Sequence, residues 1–337
     1  MKIFFIIEFL FLLLCGLFAR AENHLPHLSK DLKFRPTEAF NIHFSRGSDS
    51  DLWESNQLQV VSPHILSDLG WPYNFEPDHF YDFAARYVQT EKTQNTFLYS
   101  VCEFSTEATW KYSKNFRTQV QFGLAESKNE ISSSRIIGTG DVHFLWHTEN
   151  SDTQVHFKKH LGSEWILATT SWMQSQTGWS LNPSWSLKST QNSKLQIKLA
   201  QLWLSDVNER KKIDIEWKYA FSTFPVWLWI GPGLERIQYQ KSVNEYWSPS
   251  WVDTQGLRYD LSIPLFKHFQ FQSGGSIHQI NSSESDSGQG HYHRTGLSYG
   301  HREDFQFTIS NENILSRQSH GQWKSSIWKL FLQWTLN

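Results

Sequence analysis

The chain has 337 residues, with 31 Lys+Arg against 33 Asp+Glu, a formal net charge of −2, and 17 Trp, 11 Tyr and 25 Phe. So even a balance excludes the basic domain on which nucleic-acid binding relies, and no nucleic-acid partner is expected. Past residue 21 a lone cysteine, Cys102, excludes an intrachain disulfide, and no later run approaches the ~18 apolar residues of a membrane-spanning helix.

In chain order, Lys2 precedes an apolar run from Ile3 to Phe18 that ends at Ala19-Arg20-Ala21. A positive start, an apolar centre and a small-x-small terminus predict a cleaved signal peptide over residues 1–21. Residues 22–36 are polar and read as a periplasmic N-terminal tail. From residue 37 to 337 the pattern changes to short stretches that alternate apolar and polar side chains.

Residues 37–45, with Phe40, Ile42 and Phe44 alternating, predict a first strand, and 46–51 a turn by composition. Residues 57–62 predict a second strand, 63–77 a loop, and 79–89 a weakly alternating segment. Residues 96–104 and 108–112 are apolar and aromatic but less regular. Val120, Phe122 and Leu124 alternate with Gln119 and Gln121. Gly138-Thr139-Gly140-Asp141 predicts a turn before Val142, Phe144 and Trp146, and lacks the third glycine of a dinucleotide site. Val155 and Phe157, residues 164–174, the run from Trp179 to Leu187, and Leu195, Ile197 and Leu199 predict four more strands.

The clearest pattern is Lys212-Ile213-Asp214-Ile215-Glu216-Trp217-Lys218-Tyr219. As a strand it places Ile213, Ile215, Trp217 and Tyr219 on one face and four charges on the other, because successive side chains point to opposite sides. A helix would scatter the same residues with no apolar stripe. Residues 224–240 follow, with Pro225 and Pro232; proline in a strand belongs at its start, at an edge or at a bulge. Leu257, Tyr259, Leu261 and Ile263 alternate with Arg258, Asp260 and Ser262, and 268–280 is a further strand. Residues 281–290 predict a loop. Residues 291–302, 304–315 and 322–336 complete the set, the last with Trp328, Leu330, Leu332, Trp334 and Leu336 on one face.

A polar average with abundant Trp and Tyr and repeated two-faced strands predicts an all-β fold: an antiparallel transmembrane β-barrel over residues 37–337. The number of strands comes to about sixteen, with fourteen as the other even choice. A secreted soluble β protein with an aromatic core is the competing reading. The barrel reading places the protein in the outer membrane of a Gram-negative bacterium, with outer-membrane lipid and the barrel-insertion machinery as partners.

Tyr246-Trp247-Ser248-Pro249-Ser250 follows Gly231-Pro232-Gly233-Leu234-Glu235 and precedes Gly256-Leu257-Arg258-Tyr259; near the start stands Ser48-Asp49-Ser50-Asp51. This arrangement resembles the C-terminal outer-membrane barrels of bacterial exopolysaccharide secretion proteins, the kind that serve cellulose synthase and poly-N-acetylglucosamine export. The resemblance implies export of an envelope polysaccharide, which would then be a further partner. Two departures stand out. Those exporters carry helical tetratricopeptide repeats before the barrel, and none is seen here. Such barrels usually finish on an aromatic residue, and here Trp334 and Leu336 are followed by Asn337.

No Gly-x-Ser-x-Gly and no His-Glu-x-x-His occurs. Ser319 with His320, or His143 and His147 near Asp141, are the candidates for a lipase or deacylase site. His291 and His293 would share a strand face but lack a third ligand. The expectation is therefore no catalytic site, no metal and no cofactor. The candidate functional residues are lumen-facing: Lys194 and Lys198 on one strand, Lys212, Asp214, Glu216 and Lys218 on the next, and Arg258 and Asp260 further on. A wall of mixed charge favours hydrated polar solutes. Three functions follow: a pore or conduit, a barrel enzyme acting on lipid, and a structural or adhesive barrel with a plugged lumen.

Overall fold

The computed structural model describes residues 39–50, 53–62, 65–66, 80–94, 97–113, 115–129, 134–161, 177–190, 192–222, 225–243, 248–266, 268–284, 287–301, 305–318 and 321–335. The expected signal peptide, the N-terminal tail and the strand over 164–174 lie outside these residues. So does the loop over 63–77, apart from two residues.

The strands are β1 (Ala39–Asp49), β2 (Trp53–Val61), β3 (Ile65–Leu66), β4 (Phe80–Gln94), β5 (Phe97–Ser113), β6 (Phe116–Asn129), β7 (Arg135–His147), β8 (Ser151–Leu161) and β9 (Thr177–Thr190). They continue as β10 (Ser193–Leu204), β11 (Glu209–Ser222), β12 (Trp227–Tyr239), β13 (Trp251–Phe266), β14 (Phe269–Ser282), β15 (Gly288–His301), β16 (Phe305–Gln318) and β17 (Gly321–Thr335). No helix occurs among the described residues.

Each long strand pairs antiparallel with its neighbour in the chain, and β1 returns to β17 from Ala39↔Thr335 to Asp49↔Ser325. The two-residue β3 only extends the edge of β4, since β2 pairs with β4 directly. The result is a closed antiparallel barrel of sixteen long strands. Closure is what satisfies the backbone: an open sheet would leave two rows of unpaired N–H and C=O groups.

The two faces differ as the alternation dictates. Phe122 and Leu124 are 67% and 63% exposed, and Ile136 and Ile277 are each 71% exposed. Register puts Phe122 and Leu124 on the face of Val142, Phe144 and Trp146. Among the described residues the largest buried apolar group holds only Tyr99, Val101, Ala125 and Ile137. A soluble sandwich would bury its large apolar side chains between sheets; here they are displayed over a continuous surface, which water does not tolerate. This overturns the soluble reading.

Several local expectations yield to strand pairing. Gly138 to Asp141 is not a turn but the interior of β7, in unbroken register with β6 from Phe116↔Trp146 to Ser127↔Arg135. Residues 46–49 lie inside β1, where Arg46 pairs with both Trp328 and Asn56. Of the 96–104 stretch, residues 97–104 join 108–112 in one strand, β5, and the ends of the 281–290 loop belong to β14 and β15. For Arg46 to Asp49 and Gly138 to Asp141, turn composition is a local preference, and the flanking ladders outweigh it. Pro232 sits mid-strand in β12. The β11–β12 ladder is paired at Glu216↔Gly233 and again at Tyr219↔Ile230, and lapses between them. Proline has no N–H to give, so the sheet tolerates it by omitting a rung.

Candidate functional site

The functional geometry starts from β11. Ile213, Trp217 and Tyr219 are 38%, 56% and 49% exposed on one face. On the opposite face stand Lys212, Asp214, Glu216 and Lys218. Register carries that face into β10, where Lys198 pairs with Asp214 and Lys194 with Lys218, and into β12, where Asp214 pairs with Glu235. Through Gly231↔Arg258 and Trp229↔Asp260 it continues into β13.

Arg258 reaches across β12 to β11. Its Nη1 lies 2.7 Å from an Asp214 oxygen and 3.0 Å from Glu216. Lys218 Nζ lies 2.5 Å from Glu216 and 2.5 Å from Asp260. The order of contacts is therefore Asp214, Arg258, Glu216, Lys218, Asp260: five of the eight expected residues in one chain of charge. Lys212 Nζ stands 2.7 Å from Glu235 beside it. Glycine makes this reach possible. A Cβ on Gly233 would collide with Arg258 Nε, so only a residue without a side chain lets the guanidinium lie over β12. Most of these charges are shielded: Lys218, Asp214 and Glu216 side chains are 11%, 11% and 15% exposed. Charge-assisted bonds in such surroundings are stronger than at an open surface.

Lys194 and Lys198 stand apart. Neither makes an ion pair among the described residues. They border a separate cavity of ≈ 560 Å³ with Asn182, Ser184, Ser186 and Gln196. The five-member chain, with Glu235, His278, Tyr292 and Arg294, lines a smaller cavity of ≈ 360 Å³.

Sequence reasoning missed Glu235, Arg294 and Tyr292. Glu235 does alternate with Leu234 and Arg236, but the proline before it hides the strand. Arg294 and Tyr292 lie in β15, whose four glycines and three histidines blur the apolar face.

The other candidates do not assemble. Asp141 pairs with His156 Nε2 at 2.5 Å, and the His143 ring stacks obliquely 5.1 Å from that of His156. His147 pairs with Asp152. Ser319 and His320 lie outside the described residues. His293 Nδ1 shares a hydrogen bond of 2.6 Å with the Tyr259 hydroxyl, and no group of three metal-ligating side chains occurs among the described residues. Of the Tyr-Trp-Ser-Pro-Ser segment, Tyr246 and Trp247 also lie outside the described residues. Ser248, just before β13, is 2% exposed, and its hydroxyl accepts from the Val243 N–H at 2.8 Å. Trp146, Trp179, Trp185, Trp203, Trp217 and Trp328 are all exposed on the apolar face, where membrane-interface girdles stand.

No protein-family model matches the sequence, and no curated protein does. Among solved structures, a bacterial polysaccharide outer membrane secretin superposes with a TM-score of 0.70 at 10% identity, over 89% of this chain and 99% of that one. CdiB from Acinetobacter baumannii superposes with a TM-score of 0.50 at 10% identity, over 88% of this chain and 60% of that one. At such identity the likeness is one of fold: this chain is built like an outer-membrane barrel, including the barrel of a polysaccharide secretin.

Proposed function

We propose that the protein is a pore in the outer membrane of a Gram-negative bacterium, with its apolar face in lipid and its charged face lining an aqueous lumen. The observation that carries this reading is the chain from Asp214 through Arg258, Glu216 and Lys218 to Asp260. On a closed wall, side chains on the concave side converge and those on the convex side diverge. A guanidinium that bonds two strands away therefore belongs to the concave side. In this reading Lys194, Lys198, Lys212, Asp214, Glu216, Lys218, Arg258 and Asp260 all line the lumen. Sixteen strands enclose a space wide enough for an aqueous channel, and mixed charge suits hydrated polar solutes.

The finer reading is a conduit for an envelope polysaccharide. The motif resemblance and the fold likeness to a polysaccharide secretin support it. Outer-membrane lipid and the barrel-insertion machinery are the remaining partners this reading implies. The test is conductance in planar bilayers, using protein whose heat-modifiable gel migration shows a folded barrel. Discrete conductance steps are expected. A folded barrel that passes no current, or a protein that fractionates into the periplasm without detergent, overturns the proposal. Lipids incubated with the protein should be unchanged by mass spectrometry; appearance of lyso or deacylated species would make it an enzyme instead.

A further inference from the structure

The wall of the barrel divides its cations unequally. Lys212, Lys218 and Arg258 each stand within 3.0 Å of a carboxylate. Lys194 and Lys198, one strand away on β10, have no ion-pair partner among the described residues. Asp214, the register neighbour of Lys198, is turned to Arg258 instead. Lys188, the register neighbour of Lys194 on β9, adds a third lysine to the row. Cations so placed contribute a positive local potential.

The same stretch is rich in neutral hydrogen-bonding groups. Ser184 pairs with Lys198 and Ser186 with Gln196 across the β9–β10 ladder, and Asn182 continues the row. Strand alternation sends all of these to one face, so amide and hydroxyl groups flank each lysine. The cavity they border, ≈ 560 Å³, falls within the ~300–1,000 Å³ typical of small-molecule sites. The carboxylate on its border, Asp152, is engaged by His147. Amides and hydroxyls offer donors and acceptors in the proportions that sugar hydroxyls use. Lysine supplies a point charge on a flexible stem and lacks the rigid fork with which arginine holds phosphate. Flexible, single-point contacts also suit a solute that must leave as well as enter.

We propose that this recess is a binding station for carboxylate-bearing sugar units, with Lys194 and Lys198 on the carboxylates and Asn182, Ser184, Ser186 and Gln196 on the hydroxyls. The proposal rests on the pore reading and names the solute class that the pore handles. Alternation alone gives a lumen of mixed charge; the structure separates a compensated panel from an uncompensated one.

The test uses the full-length barrel in planar bilayers, with trigalacturonate, maltotriose and inorganic phosphate as separate probes. Trigalacturonate is expected to interrupt the current, with maltotriose and phosphate much weaker. The Lys194→Gln/Lys198→Gln double variant should lose trigalacturonate affinity by roughly tenfold or more, a change of about 1.4 kcal/mol, and shift the reversal potential toward cations. Its heat-modifiable migration should match that of the parent. Equal interruption by maltotriose overturns the role of the lysines, and equal competition by phosphate alone overturns the sugar. A folded barrel without current defeats the pore reading separately. Equilibrium binding of trigalacturonate to detergent-purified barrel then decides the station, and absence of binding there overturns it.

Discussion

The two halves of the charged wall use similar residues to opposite ends. On β11–β13 Lys212, Lys218 and Arg258 each meet a carboxylate, glycine clears the space between strands, and the side chains are largely shielded. On β9–β10 lysines stand among serines and amides with no ion pair among the described residues. The first arrangement spends its charge on holding strands together. In the proposed reading the second leaves its charge for a solute. Net charge alone, −2 for the chain, conceals this division entirely.

The compensated panel should respond sharply to small changes and the open panel hardly at all. The largest effect is expected at Gly231. A Cβ there would run into the Trp217 carbonyl, and backbone cannot move aside cheaply. Gly231→Ala should abolish heat-modifiable folding or cost about 3 kcal/mol or more in urea titrations. Removing Arg258 comes next. Arg258→Ala leaves Asp214 and Glu216 without their shared cation, and should cost about 1–3 kcal/mol, the full buried-pair penalty being reduced by partial exposure. Arg258→Lys should recover only part of it, since lysine lacks the planar, multi-donor guanidinium.

Gly233→Ala should be milder, about 1–2 kcal/mol, because the atoms its Cβ meets belong to the Arg258 side chain, which can swing away at the loss of its bonds. By contrast Lys194→Ala and Lys198→Ala should change stability by less than about 0.5 kcal/mol in the same titration. An effect there as large as that of Arg258→Ala would erase the distinction between the panels. The smallest expected change is Gly138→Ala, where a Cβ meets nothing within 4 Å. It should be neutral or stabilise slightly, because alanine restricts the unfolded chain more than glycine.

Much of the barrel was legible in the amino-acid pattern. Wherever strict alternation ran for six residues or more, as from Lys212 to Tyr219, the strand and both of its faces followed. Legibility failed at glycine and proline. Gly138 and Gly140 read as a turn because turn composition is a local signal, whereas the ladder to Phe122 and Leu124 joins separate parts of the chain. Pro232 obscured β12, and with it Glu235. The candidate site was legible as a set of residues on common faces, but not as contacts.

The sequence by itself determined the class, because period-two alternation over most of the chain admits strands and no helix. It also determined which residues share a face, since that is parity within a strand. Tertiary structure alone decided that the apolar faces form an outer wall rather than the inside of a sandwich. It also decided which strand lies beside which, and therefore that Arg258 reaches Asp214 and Glu216 while Lys194 and Lys198 form no ion pair among the described residues. Register between strands is fixed by closure of the whole cylinder, a condition no single stretch of sequence contains.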